Sequence, residues 1–179
     1  MHNFFLLLQA DWYFAGMPLV YTQPDGEITL EQNNLLETIK LGKQWEVSFQ
    51  LKPTSYEFDS WTSILHMTIG EDNVNPGDRT PAIFYHPSHG LHVTRTSGSD
   101  PDSYKEIKPA PPVGQWSTIV LSQLQTGSTT TFSVKIEGAT LWTIENPAPL
   151  EFPSVKVFAS NPWHPAQAGS IRGLIIKTL

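Results

Sequence analysis

Ten residues, Gly70–Arg79 (GEDNVNPGDR), crowd Glu71, Asp72, Asn73, Asn75 and Asp78 into one turn-forming stretch. Calcium takes six to eight oxygen ligands, and carboxylates and amide carbonyls at this density could supply them. The named candidate ligands are Asp72, Asn73, Asn75 and Asp78. Asp and Asn also gather in turns for conformational reasons alone, so a solvated loop accounts for the same residues.

Three imidazoles, His86, His89 and His92, recur in Tyr85–Val93 (YHPSHGLHV) around Pro87 and Gly90, which would bring two strands side by side. Such a cluster could hold zinc or copper. Against that, residues on opposite arms of a hairpin need not point to one centre, and a polar turn accommodates His without strain. His66 stands by itself on its strand and reads as a packed or surface side chain.

Trp163 lies in the Pro- and His-bearing loop Asn161–Pro165, where an indole could stack on a sugar face or on a partner's side chain. Asn161, Trp163, His164 and, from the histidine turn, His89 are therefore the candidate ligand contacts. A packed rim tryptophan is the alternative for Trp163. Trp45 and Trp116 fall on inward strand positions and read as core.

These residues must be positioned by short strands. From Gln44 to Leu51, Trp45, Val47, Phe49 and Leu51 alternate with Gln44, Glu46, Ser48 and Gln50, the period of two that buries one face. The alternation returns in Thr131–Glu137, and Gly138 supplies a turn before Thr140–Glu145. Further strands are expected at Leu19–Thr22, Glu27–Glu31, Trp61–Ile69, Ala82–Tyr85, Leu91–Thr96, Trp116–Gln123, Val155–Ala159 and Ile171–Lys177. Leu30 to Leu41 has helical spacing and is allowed at most a turn of helix, while Ser97–Val113, with four prolines, reads as the longest loop. About a dozen strands without intervening helices predict an all-β, two-sheet antiparallel jelly-roll sandwich.

Composition agrees. The 179 residues suit one domain, 39% are hydrophobic, and 15 Pro and 12 Gly are scattered as turn punctuation. Seventeen acidic against eleven basic residues give a formal charge of −6, which offers nucleic acid or anionic lipid no general attraction. The absence of cysteine excludes disulfides, Cys-based zinc sites and a thiol nucleophile. No Asn-x-Ser/Thr sequon occurs. Met1 to Ala10 makes a poor signal peptide and is expected to be an ordered first strand; no apolar stretch approaches the about 20 residues of a spanning helix.

Three segments carry a family likeness: Lys43–Pro53 (KQWEVSFQLKP), Val113–Gln123 (VGQWSTIVLSQ) and Thr129–Asn146 (TTTFSVKIEGATLWTIEN). Together they resemble laminin-G and concanavalin A-like domains, in which an alternating core strand, a Gly-x-Trp strand start and a later hairpin occur in this order. Val134–Gly138 carries that hairpin with one extra residue. Val155–Ile176 (VKVFASNPWHPAQAGSIRGLII) also resembles the closing strands of lectin-like modules in extracellular proteins of invertebrate animals. The likeness covers residues 43 to 179 of a single domain 1–179, with 1–42 as additional amino-terminal strands.

The resemblance implies a non-catalytic recognition module for carbohydrate or an extracellular protein partner, assisted by calcium at the sandwich rim and located outside the cell. Glucanases on this fold carry Glu-x-Asp-x-x-Glu; Glu57-Phe58-Asp59 begins that pattern, but residue 62 is Thr, so the second glutamate needed for proton transfer is missing. The competing expectation is a structural subunit that forms homo-oligomers through strand edges and the apolar amino-terminal segment.

Overall fold

Apolar residues at every second position pack one face of each strand against a facing sheet. A computed structural model describes residues 17–56 and 59–179. The expected first strand at Met1–Ala10 and the Glu57-Phe58 start of the glucanase pattern lie outside the described residues; Asp59 is exposed.

Thirteen strands are found among the described residues: β1 (Leu19–Thr22), β2 (Glu27–Thr29), β3 (Leu35–Leu41), β4 (Trp45–Pro53), β5 (Thr62–Thr68), β6 (Ala82–His86), β7 (Gly90–Ser97), β8 (Asp100–Ile107), β9 (Ser117–Thr126), β10 (Thr129–Ile136), β11 (Ala139–Glu145), β12 (Phe152–Phe158) and β13 (Gly169–Thr178). One sheet runs β1-β13-β4-β9-β10-β11, with β2 also paired to β13, and the other runs β3-β12-β5-β6-β7-β8. Every strand pairing is antiparallel, which gives the two-sheet jelly-roll sandwich read from the sequence.

The dry interior is built from the alternating positions. Trp45, Val47, Phe49 and Leu51 of β4 are buried beside Ile119 and Leu121 of β9 and Phe132 and Val134 of β10. Leu65, Met67, Ile83, Leu91, Val93, Val155 and Val157 answer from the second sheet and join them in one cluster. The edge of Trp45 meets the Phe132 ring at 5.9 Å, the T-shaped geometry that aromatic quadrupoles favour.

Three expectations change. Leu35–Leu41, inside the stretch with helical spacing, is strand β3, because its backbone pairs with β12 from Leu35↔Phe158 to Leu41↔Phe152. Asp100–Ile107, inside the expected long loop, is strand β8. It lies at the sheet edge with one face in solvent, so its charged residues do not break the pairing with β7. Trp116 is not core: it sits half-buried on the outer side of the seven-stranded sheet, with Lys52 Nζ and the Arg172 guanidinium 4.5 and 4.1 Å from its ring.

Candidate functional site

The outward face of the six-stranded sheet departs from an ordinary solvent-facing surface. On β6 and β7 the alternation that sends Ile83, Leu91 and Val93 inward sends Phe84, His92 and Thr94 outward, with Phe84 and His92 paired across the strands. His66 lies on β5 opposite Ala82, fully buried under neighbouring loops. All five described histidines, 66, 86, 89, 92 and 164, lie on this side, linked by ring contacts.

Trp61, just before β5, gathers the histidine hairpin. Its indole is 4.8 Å from His86, stacked on His89 at 5.3 Å and edge-on to His92 at 5.0 Å. The hairpin expected around Pro87 and Gly90 is present, but its imidazoles converge on an indole. Among the described residues, no group of three or more His, Cys, Asp or Glu side chains is placed to hold a metal ion. His92 also stacks on Tyr104 of β8 at 4.5 Å. His89 lies at the rim, half in solvent, its Nδ1 2.5 Å from Glu106 Oε1.

The 70–79 loop reaches over the same face. Buried Asp78 organises it: Oδ1 accepts from the Glu71 amide at 3.1 Å, and Oδ2 accepts from the Val74 and Asn75 amides at 2.9 and 2.6 Å. Gly77 completes the turn at φ 107°, where a Cβ would meet the Phe152 ring at 2.6 Å; its amide donates to Thr96 Oγ1. Asp72 is paired with Arg79, and Asn75 is exposed. Asp72, Asn73, Asn75 and Asp78 therefore do not fit a calcium cage: the Asp78 oxygens bind backbone N–H groups and the Asp72 carboxylate faces a guanidinium.

Arg79 is held from both sides. Its Nη1 donates to Asp102 Oδ1 at 2.8 Å, its Nη2 faces the Asp72 carboxylate at 3.4 Å, and its Nε donates to the Asp72 carbonyl at 3.2 Å. The guanidinium also lies 4.9 Å from the Phe84 ring, within cation–π range. Asp102 further accepts from Thr94 Oγ1 at 2.6 Å and from Asn73 Nδ2 at 3.4 Å. Burial alone would raise its pKa; the approach of His92, the Thr94 hydroxyl and Arg79 outweigh burial and hold the carboxyl well below the usual range.

The Asn161–Pro165 loop closes the site through Asn161. Its Oδ1 accepts from the Trp163 and His164 amides at 3.1 and 2.8 Å, and its Nδ2 donates to His66 Nδ1 at 2.7 Å and to His164 Nδ1 at 3.3 Å. His66 Nε2 then donates to the Asp78 carbonyl at 2.5 Å, which selects the neutral tautomer protonated on Nε2. Burial pushes the His66 pKa down to about 4 and lowers that of His164. Trp163 is both packed and accessible, with its ring 5.5 Å from His66 and 37% of the residue exposed.

Between these elements opens a cleft of about 240 Å³ lined by Trp61, Asn73, Arg79, Phe84, His92, Asp102 and His164. Of the residues singled out in the sequence, His164, Asn73 and, from the histidine hairpin, His92 line it. Asp72 and Asn161 brace the lining, His89 backs Trp61, and Trp163 lies beside it against His66. Asn75 and Asp78 belong to the loop framework. Trp61, Arg79, Phe84 and Asp102 were not singled out; the outward positions of the expected strands at 82–85 and 91–96 held the available signal.

No protein-family model matches the chain, and no curated protein matches it. Solved structures do. The native heptameric SAP-like pentraxin from Limulus polyphemus superposes with a TM-score of 0.51 at 14% identity, over 88% of this chain and 73% of that one. Domain 4 of AbnA, an extracellular GH43 arabinanase from Geobacillus stearothermophilus solved with arabinotriose, gives 0.50 at 20% identity, over 91% and 76%. A Trypanosoma rangeli sialidase mutant with trans-sialidase activity gives 0.57 at 10% identity, over 91% of this chain but 31% of the sialidase. The chain shares their β-sandwich fold. At these identities the likeness carries the architecture and no residue's role.

Proposed function

We propose that this domain is a non-catalytic carbohydrate-recognition module, of the laminin-G and concanavalin A-like kind, whose site is the cleft on the outer face of the six-stranded sheet. One observation carries the reading: the half-buried indole of Trp61 shares a concave surface, floored by Phe84 and His92, with the guanidinium, carboxylate and amide of Arg79, Asp102 and Asn73. Sugars present that same pairing of apolar C–H faces and ringed hydroxyls, and sites of this mixed lining are where ligands seat. A sandwich neighbour solved with a sugar, the arabinanase domain with arabinotriose, supports it at the level of fold.

Recognition is favoured over hydrolysis by the partners of the two nearby carboxyls. A glycosidase needs one of its pair free to give a proton to the leaving group, whereas Asp102 is bonded to Arg79 and Thr94 and Asp72 faces the same guanidinium. A glycan array probed with the full chain and with Trp61→Ala tests the proposal. Binding by the wild type that disappears in the variant supports it; binding that survives intact in the variant, or none at all, removes it. An extracellular setting is part of the same proposal.

The second reading, assembly through strand edges, has its own observation. Edge strand β11 exposes Leu141 and Ile144, 43% and 39% accessible, beside a backbone ladder unpaired among the described residues. Light scattering of Leu141→Lys against wild type decides it: a fall from oligomer to monomer supports assembly, and an unchanged mass rejects it.

A further inference from the structure

Resting on the carbohydrate reading above, we propose that the cleft selects a single non-acidic sugar ring and turns away acidic sugars. Charge is the first argument. Arg79 is the group an acidic sugar would seek, yet Asp102 and Asp72 occupy its two ends at 2.8 and 3.4 Å. Two carboxylates against one guanidinium leave the wall net negative. An incoming carboxylate would meet like charge and no free guanidinium fork.

Hydrogen-bonding capacity is the second. Among the described residues Asp102 Oδ2 receives only the long 3.4 Å contact from Asn73, although a carboxylate oxygen can accept two donors. It therefore has room for a sugar hydroxyl.

Size is the third argument. The cleft of about 240 Å³ is smaller than the roughly 300–1,000 Å³ of sites that enclose drug-sized ligands, so it takes one ring and leaves the rest of a chain outside. Trp61, which is only half-buried, supplies apolar surface for that ring's C–H face.

Isothermal titration calorimetry on the full chain tests this with neutral hexoses, pentoses and N-acetylhexosamines beside glucuronic and N-acetylneuraminic acids. Neutral sugars are expected to bind and to lose binding in Trp61→Ala, with acidic sugars weaker by about tenfold or more. Asp102→Asn should narrow that gap by about tenfold; Asp72→Asn, whose partner Arg79 keeps its bond to Asp102, provides the same reading if the first variant does not fold. Acidic sugars that bind as tightly as neutral ones, and fail in Trp61→Ala, overturn the selectivity while leaving carbohydrate recognition standing. Absence of binding by every sugar, or binding indifferent to Trp61→Ala, overturns both.

Discussion

The side-chain amide of Asn161 stands 2.7 Å from Nδ1 of His66 and joins its loop to strand β5, 95 residues away in the sequence. Nothing in Asn161's side chain is left over, since its oxygen accepts two backbone amides and its nitrogen serves two imidazoles. Asn161→Ala should therefore cost about 2–3 kcal/mol, because it orphans a buried ring nitrogen as well as two amides. It should also weaken saccharide binding by freeing His164. Urea denaturation and calorimetric titration of the variant check both effects; unchanged stability would show that the hub is dispensable.

The buried imidazole of His66 predicts a specific acid response. Its folded pKa of about 4 lies below the ordinary value of 6.5, so the unfolded chain takes up the proton first as pH falls. Stability is full above about pH 6.5 and declines between there and about pH 4, by on the order of 3 kcal/mol from this group. In His66→Gln, the slope of stability against pH in that window should flatten relative to wild type. Equal slopes in the two proteins would assign the acid response to other groups.

Trp61 is placed to serve the ligand more than the fold. Trp61→Ala should reduce saccharide affinity at least about tenfold while costing about 1–2 kcal/mol of stability, since it packs on the histidine hairpin and not in the inter-sheet core. Binding and denaturation measured on one preparation separate the two roles.

In the 70–79 loop, Asp78 acts as a cap on three backbone amides. Asp78→Ala should cost about 2–3 kcal/mol whether or not calcium is present. Adding calcium or a chelator to the wild type should move Tm by no more than about 1 °C. A rise of several degrees with calcium that vanishes in Asp72→Asn would instead make the loop a metal site.

The two tryptophans read alike in the sequence differ in the structure. Trp45→Ala should cost about 3–5 kcal/mol by opening a cavity against Phe132, whereas Trp116→Ala, under Lys52 and Arg172 at the surface, should cost no more than about 1.5. Similar losses in thermal denaturation would contradict this assignment.

Much of the architecture was legible because burial imposes period two, plainest in Trp45–Leu51 and in Phe132 and Val134. What was not legible had tertiary causes. β3 reads with helical spacing, yet its partner β12 lies more than a hundred residues away, and that pairing decides its conformation. β8 reads as a loop because an edge strand with a solvated face admits Asp, Lys and Glu freely. The same gap hid Asp102, which sits on β8. Of the site, Asn161, His164, His92, Asp72 and Asn73 show their chemistry in the sequence, but Arg79 and Phe84 matter through neighbours that only the sheet register brings near.

The segment from Ser160 to Ala168 leaves β12 in one sheet and enters β13 in the other, and it is sewn to the start of β5: the Asn161 amide donates to Ser63 Oγ, the Ser63 amide to the Pro165 carbonyl, and the Gln167 amide back to Ser63. His164, at the cleft wall, thus hangs from the strap that fastens the two halves of the sandwich. A guest gripping His164 would tighten that strap, so occupancy should raise the melting temperature of the whole domain and slow amide exchange across both layers together.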